Sequence, residues 1–323
     1  MRYAVAVSST AVHEITRIDV IDAHRRIAGD VRRTPLMRLP GAALGIGCAE
    51  VWLKLEHLQL GGSFKARGMF NRMRTHPIPS GGVVVASGGN AGIAVACAAR
   101  ALGVRAEVFV PETTSATKRD TLAQLGATVV VGGKSYAEAL AASLKRQAQS
   151  GALLMHAYDQ IEVVTGAGTL ASEVEDDAGV PDRALVSVGG GGLIAGVAAW
   201  FEGRCRVEAL ESEGTPTLAR AREAGRPVDV DVSGVAADAL GARRVGDIAW
   251  SITQRHVHAH HLLPDDAIRA AQRQLWKQLR LVVEPAAALP LAALTTHVVE
   301  PAPDERVLLV LCGGNVDLAT LAG

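Results

Sequence analysis

A lysine follows a glycine pair in the segment 61–65 (GGSFK), just before a stretch, 66–70, that can be helical. A lysine amine can form an imine with a carbonyl group, and once displaced it can take a proton from carbon. Lys54 and Lys118 lack this setting between a glycine turn and a helix start, and we expect both to be solvated. Lys65 is therefore the candidate for covalent chemistry.

Three further glycine clusters follow predicted strands, at 87–92 (SGGNAG), 189–192 (GGGG) and 312–315 (CGGN). Open α/β sheets bind ligands beyond the carboxyl ends of their strands. Glycine allows the backbone to approach a ligand closely, and the free N–H groups at a helix start favour an anion. Because four consecutive glycines are costly in backbone entropy, we expect the 189–192 loop to bind phosphate.

The same glycines also fit a nicotinamide cofactor. Residues 190–195 (GGGLIA) match G-x-G-x-x-G/A between a predicted strand and a helix, and Glu211 follows about 20 residues later. An NAD-dependent oxidoreductase is therefore an alternative, although it leaves the other three loops and Lys65 without a function.

Short β-branched runs alternate with alanine-rich helical stretches along most of the chain. Strands are predicted at 83–85, 106–110, 128–131, 184–188, 206–210 and 306–311. Helices are predicted at 93–102, 115–125, 136–149, 193–201, 216–224 and 267–279, with a short one after residue 315. This order predicts an α/β fold with two open twisted sheets, flanking helices and a site in the cleft between them. We expect a small domain at 77–152 and a large domain formed by 1–76 and 153–323.

The composition excludes several classes of partner. Lys+Arg and Asp+Glu are balanced at 33 each, which gives no electrostatic reason to expect nucleic acid or an anionic membrane surface. The four cysteines form no CxxC pair and are expected to be reduced in the cytoplasm. We see no signal peptide and no 18-residue apolar span. A small-molecule substrate and a homodimer or larger homo-oligomer are expected.

Taken in order, these loops resemble the fold-type II pyridoxal-phosphate enzymes, in particular their serine/threonine dehydratase branch. The resemblance runs over nearly the whole chain. It is carried by RTPL at 33–36, LKLEHLQ at 53–59, GSFKARG at 62–68, PET at 111–113 and CGGNVD at 312–317. The ordered combination is far more specific than any single motif.

The resemblance implies a set of contacts to pyridoxal 5′-phosphate. Lys65 would hold the cofactor as a Schiff base, Phe64 would lie against the pyridine ring and Asn90 would hydrogen-bond the ring's 3′-oxygen. Cys312 would face the ring nitrogen. The residues implied to hold the phosphate are Gly189, Gly190, Gly191, Gly192 and Leu193.

The resemblance also implies a substrate and a reaction. The substrate carboxylate would be bound by Ser87, Gly88, Asn90 and Ala91, and Ser87 joins Lys65 as a catalytic residue. A thiol at position 312 would not keep the ring nitrogen protonated, which favours prompt loss of a β-hydroxyl group. The implied reaction converts L-threonine, L-serine or a similar β-hydroxy amino acid to a 2-oxo acid and ammonia. Alternatives with the same cofactor are 3-hydroxyaspartate dehydration, β-replacement, threonine-synthase-like chemistry and a catalytically silent relative.

Two departures from the family pattern refine this expectation. Gly88 stands where serine racemases carry a second serine that acts as a base, so racemisation should be weak. The residues after Asn90 are alanine and glycine rather than histidine and a small polar residue. That variant resembles serine-preferring dehydratases and leaves the choice between serine and threonine open.

Glu211 matches a cation ligand of the family. The divalent site also has an aspartate six residues later, where this chain has Thr217. We therefore favour potassium, held by Glu211 and backbone oxygens including that of Thr215, over magnesium.

Four histidines at positions 256, 258, 260 and 261 resemble a metal cluster, and their spacing predicts that the first three share one face of a strand. Since that strand carries no carboxylate or cysteine at ligand spacing, an exposed strand before a helix is the favoured interpretation.

Overall fold

The computed structural model describes residues 14–317. Within this range ten strands form two sheets. The larger sheet has the order β1-β2-β10-β7-β8-β9 and the smaller one the order β5-β4-β3-β6. The strands are β1 (Leu36–Pro40), β2 (Glu50–Lys54), β3 (Val83–Ala86), β4 (Ala106–Val110), β5 (Thr128–Val131), β6 (Leu153–Met155), β7 (Arg183–Ser187), β8 (Arg206–Ser212), β9 (Ala259–Leu263) and β10 (Arg306–Val310).

Helices connect most of these strands, as parallel pairing requires. Only β1 and β2 pair antiparallel among the strands described. The helices are α1 (Arg17–Ile27), α2 (Lys65–Thr75), α3 (Asn90–Ala101), α4 (Ala116–Gln124), α5 (Tyr136–Ser150), α6 (Ile161–Ala178), α7 (Gly192–Phe201), α8 (Thr217–Ala224), α9 (Ala237–Leu240), α10 (Asp247–His256), α11 (Asp265–Gln274) and α12 (Pro285–Thr295). A π-helical turn, Leu275–Leu279, continues α11. The predicted α/β fold with two sheets is confirmed.

The four-stranded sheet comes from one uninterrupted stretch of chain, from β3 to β6. Its last strand, β6, lies just beyond residue 152, where the predicted small domain ends, and pairs with β3. The division into two domains remains a prediction. The helix predicted after residue 315 extends into 318–323, outside the described residues.

Helix α6 is deeply buried, and residues 163–174 within it have no exposed member. It packs against α1, α2 and α7. Glycines on α6 allow α2 and α7 to approach it closely. A Cβ at Gly166 would lie 2.6 Å from the Arg67 carbonyl oxygen, and one at Gly168 would lie 2.7 Å from that of Gly196. This packing fixes α2, which begins at Lys65.

Four buried charged side chains, Lys54, Glu56, Arg67 and Glu173, form what we call the buried charge cluster. Arg67 donates to Glu56 through Nε and Nη2 (both 2.8 Å) and to Glu173 through Nη1 (2.7 Å). Lys54 Nζ donates to Glu173 Oε2 at 2.6 Å. The expectation that Lys54 is solvated is therefore wrong. The sequence could not reveal its carboxylate partner, because that partner lies 119 residues away in the chain.

The histidine-rich segment does not form the arrangement predicted for it. His256 ends α10, and β9 begins only at Ala259, so the first three histidines do not share one strand. His261 contacts the Glu208 carboxylate at 2.8 Å, an acidic partner that the adjacent strand supplies. Among the described residues no group of three or more His, Cys, Asp or Glu side chains is arranged to hold a metal ion.

None of the described helices combines the length and the apolar character that crossing a membrane requires.

Candidate active site

Lys65 is the first residue of α2, and its side chain is half-buried. Its Nζ donates a hydrogen bond to the Ala157 carbonyl oxygen at 2.7 Å and lies 4.9 Å from the centre of the Phe64 ring. Burial lowers the pKa of Lys65 to about 8, although the nearby Cys312 and Glu284 side chains oppose the shift. About a tenth of the amine is therefore unprotonated at pH 7, and this is the form that a nucleophile or base requires.

The loop before Lys65 is paired with the loop after β10. Phe64 N–H donates to the Cys312 carbonyl oxygen at 3.0 Å, and Gly314 N–H donates to that of Gly62 at 2.9 Å. Gly62 has φ 74°, and a Cβ there would lie 2.5 Å from Asn315 Oδ1. The glycine is thus required both by its backbone conformation and by the asparagine packed against it.

Cys312 belongs to the loop after β10, and its side chain is buried. Burial and the neighbouring Glu284 raise the pKa of this thiol well above its usual value. The side chain is therefore a neutral thiol at physiological pH.

The 87–92 loop leads from β3 into α3, whose first residue is Asn90. Ser87 Oγ accepts a hydrogen bond from Gly89 N–H at 3.3 Å, and Asn90 Oδ1 accepts one from Asn315 Nδ2 at 2.8 Å. The N–H groups of the first helical turn, including that of Ala91, have no partner within the helix. They form, with Ser87, a set of donors suited to a carboxylate.

The 189–192 loop ends at the start of α7, where Gly192 and the buried Leu193 form the first turn. Its glycines have close neighbours. A Cβ at Gly190 would lie 2.3 Å from the Tyr158 ring, and Gly191 has φ 88°. Tyr158 follows Ala157, the residue that accepts the Lys65 hydrogen bond, so one short loop contacts both the lysine and the glycine loop.

The 156–159 loop is itself fixed by a histidine. His156 Nδ1 accepts a hydrogen bond from Asp159 N–H at 3.0 Å. Burial lowers the pKa of His156, which favours the neutral ring that this acceptor role requires. Its contact with Lys65 joins residues 92 positions apart in the chain, so no short motif of the sequence indicates it.

Glu284 is a site residue that the sequence analysis missed. It immediately precedes α12, is 4% exposed, and accepts hydrogen bonds from Asn90 Nδ2 on both carboxylate oxygens, each at 2.9 Å. Burial raises its pKa to about 7, against the effect of the Asn90 hydrogen bonds. Asn90 is 194 residues away in the chain, so no local motif marks Glu284. The only sequence signal is an acidic residue placed directly before a proline and an apolar helix.

Glu211 is linked to the 189–192 loop through Thr217, whose hydroxyl contacts both the Glu211 carboxylate and the Gly189 carbonyl oxygen (2.5 Å). Its carboxylate accepts hydrogen bonds from Leu218 N–H (2.7 Å) and Ala219 N–H (2.8 Å) at the start of α8, and from Thr217 Oγ1 (3.1 Å). Burial raises its pKa to about 7 despite these donors. Thr215 Oγ1 pairs with Ser212 Oγ at 2.9 Å. The geometry gives Glu211 a helix-capping function.

Residues 27–313 match the model of a protein family described as pyridoxal-phosphate dependent enzyme. The chain belongs to this family. The match covers the lysine loop (61–65), the asparagine loop (87–92), the glycine loop (189–192) and Cys312. It removes the NAD-dependent oxidoreductase as an alternative.

Individual relatives agree with this assignment. The chain is 30% identical to a catabolic L-threonine dehydratase of Staphylococcus aureus over 98% of this chain and 94% of that protein. It is 35% identical to an L-threonine ammonia-lyase of Geobacter sulfurreducens over 93% of this chain and 76% of the relative. The solved structure of maize serine racemase superimposes with a TM-score of 0.89, at 30% identity and 96% coverage of both chains. The predicted fold-type II lyase of the serine/threonine dehydratase family is confirmed.

The residues present fit pyridoxal phosphate. Lys65 offers a half-buried amine of lowered pKa, and the glycine loop at the start of α7 offers N–H groups for a phosphate. Ser63 Oγ, two residues before Lys65, is buried without a hydrogen-bond partner in the described part of the chain. An unsatisfied buried hydroxyl costs free energy, and a polar ligand bound beside it would remove that cost.

Proposed function

We propose that this protein eliminates water from a small β-hydroxy amino acid, such as L-serine or L-threonine, and so releases a 2-oxo acid and ammonia. The observation that carries the proposal is the position of Lys65. Its half-buried amine lies beside Phe64, Cys312 and Glu284, and hydrogen-bonds the 156–159 loop that contacts the glycine loop.

The cofactor, when bound, supplies an electron sink for the charge left on the substrate's α-carbon. Phe64 and Asn90 would contact its ring and ring oxygen, and Gly189, Gly190, Gly191, Gly192 and Leu193 would hold its phosphate. Lys65 would hold the cofactor until substrate displaces it. The released amine then takes the proton from the α-carbon, a step for which a pKa of about 8 is well suited.

Substrate orientation is assigned to the start of α3. Ser87 Oγ and the N–H groups of residues 88–91 would bind the substrate carboxylate, because the helix dipole and the free donors favour an anion there. This contact holds the α-carbon in place beside Lys65. Its purpose is positioning, which accounts for a large part of enzymatic rate acceleration in general.

Elimination is favoured over racemisation by Gly88. A base on the opposite face of the substrate would have to come from this position, and glycine has no side chain. A Cβ at Gly88 would lie 3.0 Å from Thr114 Cγ2, so a serine there would require the threonine to shift by a few tenths of an ångström. We expect chiral chromatography to find the oxo acid with little D-isomer. Rapid D-serine production would refute this assignment.

The neutral Cys312 thiol supports elimination as well. Facing the ring nitrogen, it would leave that nitrogen unprotonated, so that negative charge stays near the α-carbon and expels the β-hydroxyl group. A carboxylate in the same place would have the opposite effect.

Three further assignments belong to the proposal. Potassium would be held by Glu211 and a backbone oxygen of Thr215, with magnesium less favoured because Thr217 replaces an acidic ligand. The protein would act as a homodimer. Its location would be the cytoplasm, which suits four cysteines that form no disulfide.

The test begins with the absorbance spectrum of protein reconstituted with pyridoxal phosphate. We expect a visible band that disappears on borohydride treatment and is absent from Lys65→Ala. Lys145→Ala, which removes an exposed lysine, is the matched control and should keep the band. A colourless wild-type protein after reconstitution would refute the proposal.

Substrate preference is measured by oxo-acid release from L-serine, L-threonine and 3-hydroxyaspartate. Release from at least one of them is expected, and its loss in Lys65→Ala but not in Lys145→Ala ties it to the site. Cofactor binding without release from any β-hydroxy amino acid would contradict the dehydratase assignment and favour β-replacement.

A further inference from the structure

Glu284 is a buried carboxylate to which the proposed reaction assigns no task. Its backbone position immediately before α12 is one where acidic side chains commonly cap a helix. Here the side chain makes no capping hydrogen bond. It is instead directed at the Asn90 amide, whose Nδ2 lies 2.9 Å from each carboxylate oxygen.

A glycine makes room for this carboxylate. A Cβ at Gly313 would lie 2.3 Å from Glu284 Oε1, and Glu284 N–H donates to the Gly313 carbonyl oxygen at 3.1 Å. The first glycine after Cys312 is therefore explained by Glu284. The loop that carries the thiol and the carboxylate of Glu284 are fitted to each other.

The orientation of the Asn90 side chain is determined by its two neighbours. Asn315 Nδ2 donates to the Gly61 carbonyl oxygen at 2.7 Å and to Asn90 Oδ1 at 2.8 Å. A backbone carbonyl oxygen can only accept, so it fixes the Asn315 amide, which in turn fixes Asn90 Oδ1 as the acceptor. At the other end, Glu284 fixes Asn90 Nδ2 as the donor.

The charges around Glu284 come from three elements. Lys65 on α2 and Lys118 on α4 favour its ionised form, whereas Asp238 on α9 and burial disfavour it. Glu284 in turn favours a proton on the Lys65 nitrogen, and so does Cys312 when ionised. The carboxylate and the lysine are therefore electrostatically coupled in the same enclosed site.

We propose that Glu284 is a positioning residue: it holds the Asn90 NH2 group toward the cofactor's ring oxygen and, when ionised, stabilises a proton on the Lys65 nitrogen. Only one of the two amide hydrogens is needed for Glu284, which leaves the other for the ring oxygen. This inference rests on the proposed function, since both actions concern a bound pyridoxal phosphate.

The principal test compares wild type with Glu284→Gln, which has nearly the same shape but no charge, in the cofactor-loaded protein. We expect the pH midpoint of the visible absorbance band to fall by about 1 unit or more, because a neighbouring negative charge has been lost. We expect kcat to fall about 10- to 100-fold with little change in KM, because the site is less well aligned. Glu213→Gln, at an exposed glutamate, is the control and should change neither quantity.

A double-mutant cycle tests whether Glu284 acts through Asn90. The kcat effect of Glu284→Gln should largely disappear when Asn90 is already alanine, since the residue to be positioned is absent. Independent, multiplying effects on kcat would overturn the positioning role. An unchanged absorbance midpoint would overturn the electrostatic role.

Two further results keep the outcome interpretable. If Glu284→Gln does not fold, Glu284→Asp keeps the charge but withdraws it from Asn90. It should lower kcat while keeping the absorbance midpoint near that of wild type, and an unchanged kcat would overturn the inference. A wild-type protein that binds no cofactor would refute the proposed function itself, whereas a fully active Glu284→Gln protein refutes only the role of Glu284.

Discussion

Replacing Glu173 with glutamine would leave two buried cations facing one carboxylate. In the wild-type protein, Lys54 and Arg67 are balanced by Glu56 and Glu173, and all four side chains are buried. Glu173 accepts hydrogen bonds from Lys54 at 2.6 Å and from Arg67 at 2.7 and 2.8 Å. Burial would raise the pKa of Glu173, but the Arg67 and Lys54 contacts outweigh it and the pKa is lowered.

The magnitude follows from the enclosed geometry. A glutamine oxygen can still accept one of these hydrogen bonds, but its NH2 group would face a cation that cannot accept. Removing one partner of a buried ion pair typically costs about 3–5 kcal/mol, because the remaining charge is left uncompensated. The same Glu→Gln change at Glu223, whose partner Arg220 is 53% exposed, should cost less than about 1 kcal/mol.

The measurement is urea unfolding of the cofactor-loaded protein, followed by circular dichroism. The midpoint for Glu173→Gln should lie well below those of wild type and Glu223→Gln. Equal destabilisation by the two substitutions would show that the buried charge cluster is not held by its charge balance, and the reasoning would be wrong.

Four other predictions concern single sites. Cofactor uptake by Lys65 should accelerate as pH rises, with a midpoint near 8, because only the unprotonated amine attacks. Stopped-flow absorbance measures this, and a midpoint near 10 would contradict the effect of burial. Gly88→Ser should lower the free energy of unfolding by about 1–3 kcal/mol because its Cβ meets Thr114, and adding Thr114→Ala should restore it. A thermal melt of Gly88→Ser that matches wild type would exclude this clash. Glu211→Gln should cost about 1–2 kcal/mol as a lost helix cap, measured by thermal unfolding, and a wild-type melting temperature would argue against the capping function. Activity should be higher in potassium than in tetramethylammonium, and equal activity in the two salts would remove the cation site while leaving the cap.

Elements with a clear period could be predicted from the sequence. The strands at 106–110 and 128–131 agree with β4 and β5 residue for residue, because β-branched runs there are bounded by glycine and proline. Helices α6 and α12 were not predicted. Both are buried on nearly every face, so their sequences lack the apolar stripe by which a surface helix is found.

The candidate site was predictable only where the chain is continuous. The lysine, asparagine and glycine loops each have a local motif, and the resemblance identified them. The Lys65–Ala157, Asn90–Glu284 and Lys54–Glu173 contacts join residues 92 to 194 positions apart. Partners at such distances are chosen by the packing of α2, α6 and α12, which no short segment encodes.

The segment that forms the four-stranded sheet lies between α2 and α6 in the chain, and these two helices are in contact. A Cβ at Gly68 on α2 would lie 2.7 Å from the Val163 carbonyl oxygen on α6. The intervening stretch therefore begins and ends at neighbouring points, so a relative's stretch can be grafted here through only two junctions. Such a graft would bring its own 87–92 loop to an unchanged Lys65, Cys312 and 189–192 loop. Under the roles proposed for these loops, substrate choice could then be exchanged separately from cofactor chemistry, provided that the graft reproduces the contact between Asn90 and Glu284.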